Sequence, residues 1–541
     1  MARTALSLVL LAAPAFSQQV WTVPATWSTQ SSFASALAVT GDHDQDGFPD
    51  LIVGSRYAPG GGVVQIRSGL TGALIRQIQG TFPFEVLGVI VSHVDDADGD
   101  GAPDLIVWNQ GGAKLFSGAT GTPLRTYTNT RGGGGVGDLN GDGRGDYAVC
   151  ESAATRMYSG IDGGVLLTIP VAYGNSVVSV GDVSGDGVAD LALTHIVDPG
   201  FPQEVNGRMS VFSGATGAEL HGVDTAGGGL LGNVITVADR DGDGRRDLAF
   251  AHPDELPQQL GRIAVHSSAT GALIRTIANP EPVGTVSFRS DFGGMLAEVP
   301  DIDLDGVPEI AAGSNRPRGL WVLSGASGVL LMAVQTPNLA PDYFVGVAGL
   351  PDIDGDGRGE LVYGDPSDQN GPTSLGSLTV VRGTSDGSHG SRSCFGDGSG
   401  TACPCGNFGG AGQGCANTTG SGSTLHAYGS TSMSEHDLWF LARGLPGGAS
   451  GSTYLFFGTS TAGGGAGVAN FAGLRCAGGS LRRVGQHDWK GGGVASWVPN
   501  LIDPFYISAG GTYHFQSMYR DVTSPCATAN FTNLVSLTFA P

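Results

Sequence analysis

Charge is scarce in this chain. Only 14% of its 541 residues are Asp, Glu, Lys or Arg, and the basic ones form no stripe, which argues against nucleic acid as a partner. Cysteine is nearly missing before residue 394, where Cys150 stands alone, so that region has no disulfide framework to fold around. After the first residues no apolar run reaches the length of a membrane-spanning helix. The 11 His form no HExxH and no other close pair, which leaves zinc-protease chemistry without ligands. Glycine is the excess: 92 residues with no collagen period, a surplus that goes to turns and close backbone contacts. With 40% hydrophobic residues the chain is globular rather than disordered, and its length predicts two domains with ample core.

The acids that are present are concentrated. The stretch Asp239 to Asp247 reads DRDGDGRRD, and its pattern of oxygen-bearing side chains at positions 1, 3, 5 and 9 occurs seven times. The copies are Asp42, Asp44, Asp46 and Asp50; Asp96, Asp98, Asp100 and Asp104; Asp138, Asn140, Asp142 and Asp146; Asp182, Ser184, Asp186 and Asp190; Asp239, Asp241, Asp243 and Asp247; Asp301, Asp303, Asp305 and Glu309; Asp352, Asp354, Asp356 and Glu360. Just over half of the 49 acids lie at these positions, and without them the net charge of −22 would turn slightly positive. Hard divalent cations take oxygen ligands, six to eight for Ca²⁺. Four side chains at this spacing converge on one ion if the backbone curls, with the carbonyl at position 7 as a further ligand. Glycine at position 6 allows the curl in every copy. Asn140 and Ser184 replace an acid, so the third and fourth loops are expected to bind more weakly. An EF-hand is ruled out because position 12 is apolar, as at Val53 and Phe250.

The loops begin at intervals of 42 to 62 residues, and each interval carries four short extended runs. One enters the loop, one leaves it, and two more flank a small turn: Ser68 to Gly72, Ser117 to Gly121, Ser159 to Gly163, Ser213 to Gly217, Ser267 to Gly271 and Ser324 to Gly328. Four strands per repeat describe the blades of a β-propeller, and seven loops imply seven blades. The seventh repeat runs into a Gly/Ser-rich stretch after Ser377 to Arg382 and lacks a fourth strand. An orphan run, Val20 to Val23, is expected to supply it and clasp the ends. The pattern of an apolar run, DxDxDGxxD and LxxG resembles the FG-GAP/VCBS repeats of integrin-α-like propellers, over roughly Gln19 to Gly390. The resemblance implies Ca²⁺ in hairpin loops on one face of a seven-bladed ring. The FG and GAP signatures are worn away, so no ligand-binding residues carry over.

The expected fold class is thus all-β: a seven-bladed propeller over 18–390, a Cys/Gly-rich segment over 391–423, and a small disulfide-linked β-sandwich-like domain over 424–541. Residues 1–17 read as a signal peptide, with Arg3, the apolar Ala5 to Ala13 and the cleavage site Ala15-Phe16-Ser17. An exported chain fits Cys394, Cys403, Cys405, Cys415, Cys476 and Cys526 as three disulfides of open connectivity, and Cys150 as a buried thiol. The C-terminal part looks like the Cys-rich β-domains appended to large secreted bacterial proteins. Its expected strands are Thr424 to Tyr428, Leu438 to Ala442, Tyr454 to Phe457, Thr512 to Tyr519 and Leu534 to Phe539.

Several motifs point elsewhere and are outweighed. Arg144-Gly145-Asp146 spells RGD, but Asp146 is position 9 of a loop. Gly383 to Gly387 fits GxSxG and Gly132 to Gly137 resembles a phosphate loop, and neither has the strand-turn-helix context it needs. Cys403-Pro404-Cys405 reads as disulfide rather than redox chemistry. Asn417-Thr418-Thr419 and Asn530-Phe531-Thr532 are sequons. Of the C-terminal aromatics Trp439, Phe456, Phe457, Trp489, Trp497, Tyr506, Tyr513 and Tyr519, most are expected in the core, with Trp489 and Trp497 as candidates for stacking on sugars. A site that binds only the folded state stabilises it by about 1.4 kcal/mol at tenfold excess over Kd, or on the order of 10 kcal/mol for seven. Up to seven calcium ions are therefore expected as structural, in a secreted, monomeric module binding an extracellular protein or glycan. The competing expectations are an extracellular polysaccharide lyase or hydrolase with its site on the propeller face, and a pure spacer.

Overall fold

The computed structural model describes residues 19–27, 31–198, 206–224, 233–252, 261–279, 292–315, 318–334, 346–355, 357–365, 376–382, 390–428, 431, 433, 438–446, 451–489, 495–497, 507–522 and 526–540. The expected signal peptide, the turn Gly383 to Gly387, Asp356 and Tyr506 lie outside these residues. The chain is mostly β. Among the described residues no helix is long and apolar enough to cross a membrane.

Up to Arg382 the described strands form seven antiparallel units of four. Their first strands are Phe33–Thr40, Ile90–Val94, Thr130–Gly137, Gly174–Gly181, Val234–Val237, Met295–Val299 and Val347–Leu350. Each hairpins through an acidic loop into a second strand, which pairs with a third; in the first six units the third pairs, through the Ser-Gly turn, with a fourth. The third and fourth units join into one eight-stranded sheet by a parallel bridge between Gly133 and Ser176. First strands of consecutive units contact one another in chain order, and the seventh contacts the first. The fourth strand of the seventh unit is Gln19–Pro24, antiparallel to Ser377–Arg382. This is the strand expected from Val20 to Val23. It also reaches the first unit, where Trp21 Nε1 donates to the Gly69 carbonyl at 3.2 Å.

The second strands explain how these sheets cohere. Asp50–Ser55, Asp104–Asn109 and Asp146–Glu151 are near-continuous apolar runs because both of their faces are covered. Ile52 packs toward the second unit, whereas Leu51 and Val53 pack toward the seventh. Leu105 and Val107 face the first unit, and Ile106 and Trp108 the third. Period-two alternation thus feeds two interfaces, each buried side chain being worth about 1.5–3 kcal/mol. Cys150 sits fully buried between the third and fourth units, with its thiol pushed up to about 12 by desolvation. It acts as a small hydrophobe, as expected.

From Ser391 onward two sheets face each other. One contains Ser391–Ser393, Leu534–Thr538, Thr512–Arg520, Gly451–Gly458 and Arg482–Trp489, with Ala529–Phe531 paired to Thr512–Arg520; the other contains Thr424–Tyr428, Trp439–Arg443 and Ala495–Trp497. Leu425, Phe440 and Trp497 of the smaller sheet meet Leu455, Phe457, Phe515 and Leu537 of the larger. All six cysteines pair, as Cys394–Cys476, Cys403–Cys415 and Cys405–Cys526. Trp497 is 6% exposed within this core, so the expectation that it stacks on sugars is corrected. Tyr513 and Tyr519 are buried too. The side chains of Trp439 and Trp489 lie outside the described set. Asn417 and Asn530 are buried and hydrogen-bonded inside the fold, which removes both sequons from the surface.

Candidate metal centres

In all seven units the ninth loop position is the first residue of the second strand: Asp50, Asp104, Asp146, Asp190, Asp247, Glu309 and Glu360. Every one of these acids is 0% exposed. One carboxylate oxygen accepts the backbone N–H of loop position 2, at 2.6–3.0 Å, from His43, Ala97, Leu139, Val183, Arg240, Ile302 and Ile353. The other oxygen accepts from the second residue of the Ser-Gly turn, at 2.9–3.1 Å, from Gly69, Gly118, Gly160, Gly214 and Gly325. The ninth acid therefore fastens the acidic loop to the neighbouring turn of its own unit. In these five turns the residue is glycine, where a Cβ on Gly214 would stand 1.9 Å from the Ala189 carbonyl oxygen; the fifth turn carries Ser268 instead.

Position 1 closes the loop from the other side. Its Oδ2 accepts the amide of the position 6 glycine in all seven copies, at 2.7–3.1 Å. Those glycines have φ between 83° and 93°. Nothing lies within 4 Å of where their Cβ would be, so it is the left-handed backbone, not crowding, that demands glycine. Position 4 is also left-handed in all seven copies, as glycine at Gly99, Gly141, Gly185, Gly242 and Gly355 and as a non-glycine residue at Gln45 and Leu304.

Carboxylate oxygens of positions 1, 3 and 9 come within 4.8 Å of one another in five loops: Asp42, Asp44 and Asp50; Asp96, Asp98 and Asp104; Asp239, Asp241 and Asp247; Asp301, Asp303 and Glu309; Asp352, Asp354 and Glu360. Each such group is able to chelate a metal ion. In the third loop Asn140 donates to Asp142 at 2.8 Å, and in the fourth Ser184 lies 3.4 Å from both Asp182 and Asp190. The position 5 acids turn partly aside. Asp46, Asp100, Asp142, Asp186, Asp243 and Asp305 accept the position 7 amide at 2.8–3.0 Å. Asp46, Asp100 and Asp186 also accept the hydroxyls of Ser68, Ser117 and Ser213. The repeated turn serine is a component of the site that composition alone did not flag, although its recurrence six times was a usable signal.

Burial sets the electrostatics. Desolvation pushes Asp50, Asp104 and Asp247 up to about 6 and Glu309 to about 7. The glycine amides act oppositely at position 1, where the N–H of Gly187 and of Gly244 draws Asp182 and Asp239 below the usual carboxylate range. The fifth loop thus pairs an outer acid held ionised, Asp239, with a buried one whose charge is costly, Asp247, and a divalent cation between them would relieve that cost. Asp146 is held by Leu139 and Gly160 and is fully buried, so the RGD tripeptide presents no carboxylate.

No family model matches the chain. It is similar to integrin alpha-3 of Mus musculus, 28% identical over 154 residues, and to integrin alpha-3 of Cricetulus griseus, 27% identical over 154 residues. These alignments cover 26% of this chain and 14% of either integrin, so the chain spans a small part of the curated relatives it matches. Among solved structures, BBS1N in complex with ARL6DN, soaked with lead, superposes with a TM-score of 0.44 at 8% identity, covering 68% of this chain and 97% of that one. The same complex soaked with mercury gives 0.43 at 9% identity, covering 67% and 95%.

Proposed function

We propose that residues 18–390 are a calcium-stabilised, seven-bladed β-propeller of the FG-GAP/VCBS kind, followed by a Cys/Gly-rich segment over 391–423 and a β-sandwich-like domain over 424–541. The whole is a secreted module that binds an extracellular protein or glycan. One observation carries the reading: the same carboxylate cluster recurs at the same strand junction of successive sheets, fastened by its ninth acid to the adjacent turn. A catalytic metal is needed once, whereas a metal that completes a fold is needed wherever the fold repeats. The residues fit Ca²⁺: positions 1, 3, 5 and 9 offer oxygen only, with the position 7 carbonyl in reach of the same curl. The calcium acts by neutralising buried acids and closing loops. The integrin similarity supports the extracellular setting. For the partner, the opposite ends of the first and second sheets expose Tyr57, Phe82 and Phe84, the last 80% exposed, on loops away from the acids.

The test has two parts. Calcium added to the chelated full chain should raise its melting temperature, and an unchanged melting temperature sinks the calcium reading. Screening on glycan and matrix-protein arrays should then give binding that Phe84→Ser weakens. Turnover of a polysaccharide in place of retention would replace the binding reading with the enzyme.

A further inference from the structure

Four of the acidic loops carry an apolar residue at position 7: Phe48, Ala102, Val188 and Val307. The third, fifth and seventh carry arginine instead: Arg144, Arg245 and Arg358. Each of these three side chains reaches the preceding loop. Arg144 Nη1 lies 2.9 Å from Asp96 Oδ2, the position 1 acid of the second loop. Its guanidinium crosses that loop so closely that a Cβ on Gly99 would stand 2.5 Å from Nη2. Arg245 Nη1 donates to the Val183 carbonyl of the fourth loop at 2.8 Å. Arg358 Nη1 donates to the Ile302 carbonyl of the sixth. Meanwhile the backbone N–H groups of Arg144 and Arg245 are bound to Asp142 and Asp243 of their own loops, at 2.9 and 2.8 Å. Arg144 and Arg245 therefore each tie one loop by the backbone and the preceding loop by the side chain.

We propose that Arg144, Arg245 and Arg358 are resident cations of the preceding loops, so that the second, fourth and sixth loops bind calcium more weakly than the first and fifth and keep their shape without it. The proposal rests on the calcium reading above and refines it: the second and sixth loops join the fourth, already short of an acid at Ser184, as weaker sites. The physical reason is charge. A guanidinium within hydrogen-bond reach of Asp96 occupies part of the field a divalent ion would use, and repels that ion across a few ångströms. A guanidinium cannot be deprotonated, so the occupation is permanent. The first and fifth loops are followed by loops with Ala102 and Val307 at position 7, so the next loop brings them no such guanidinium.

The test is calorimetric calcium titration of the full chain, wild type against Arg144→Gln and Arg144→Lys, with melting temperatures measured in EDTA. Removing the charge should tighten one site at least about fivefold while lowering the melting temperature of the calcium-free protein. Arg144→Lys keeps the charge and should bind calcium as the wild type does. A merely structural Arg144 would lower the melting temperature and leave the isotherm unchanged, and that result overturns the proposal while sparing the calcium reading. A wild type that takes up no calcium overturns both. Should Arg144→Gln fail to fold, Arg245→Gln makes the same prediction for the fourth loop, and an unchanged isotherm there overturns the proposal.

Discussion

The chain before Arg382 and the chain after Ser391 are both glycine-rich β structure, yet they are held together in different ways. The first contains no disulfide among its described residues and has one buried thiol; the second has three disulfides and none of the acidic clusters. In the first, seven repeated units share six apolar cores, and the polar fastening is a carboxylate that grips two backbone amides. In the second, Cys394, Cys403, Cys415 and Cys476 themselves form a small core with Leu474 and Leu534. Repetition makes an ionic device economical, because one loop design serves seven times. A single small sheet pair has no such repetition and relies on covalent closure.

Chelation and reduction should therefore act on different parts, and this is the largest effect expected. EDTA should lower the unfolding transition of the repeat region by on the order of 10 °C, with the later part little changed. A reductant should do the reverse. Among single cysteine replacements, opening Cys405–Cys526, which spans 121 residues, should cost about 5 kcal/mol, and opening Cys403–Cys415, which spans 12, about 3 kcal/mol. Calorimetry of the full chain resolves these shifts. A reductant that moves the repeat transition as far as EDTA does would erase the distinction.

Within one loop the ninth acid and the third should separate in the same way. Asp50→Asn leaves one of two buried N–H groups facing a donor, so it should cost about 2–3 kcal/mol with or without calcium. Asp44 is exposed, and Asp44→Asn should cost under about 1 kcal/mol, and only when calcium is present. Denaturant unfolding in calcium and in EDTA decides it. A loss for Asp50→Asn that vanishes in EDTA, as that for Asp44→Asn should, would mean that position 9 is no more than another ligand.

These roles were only partly visible in the residues. Seven recurrences made the acidic loops, the turns, the four strands per unit and even the clasping strand Gln19–Pro24 legible, because a repeated pattern averages out the ambiguity of any one copy. The ninth acid was legible as an oxygen donor, but nothing in its identity distinguishes an oxygen aimed at an ion from one accepting an amide. Position 4 glycines were present in five copies and were passed over beside the invariant position 6. In the later part, Arg482–Trp489 was missed because RRVGQHDW shows no apolar alternation, as suits a sheet edge facing water. Trp497 misled because its neighbours in sequence are polar and small, whereas pairing with Phe440 turns it into the core.

The smallest effect sharpens the contrast between buried acids and buried bases in the repeat region. His252 is 4% exposed, beside Phe250 at 5.2 Å between ring centroids, and burial lowers its imidazole to about 3. A base whose folded value lies below the ordinary 6.5 is bound neutral, so its contribution to stability is complete above pH 6.5 and is lost as pH falls from there toward 3. The slope is at most about 1.4 kcal/mol per pH unit. Between pH 7 and pH 5 the wild type should lose about 2 kcal/mol more than His252→Phe. Taking the difference between the two proteins at each pH cancels the protonation of the loop acids they share. Packing differences between the rings shift the curves by a constant, whereas the charge of His252 changes their separation with pH. Parallel curves would show that the imidazole takes up its proton equally in the folded and the unfolded chain over this range, because the fold opens locally to hydrate it before pH 5.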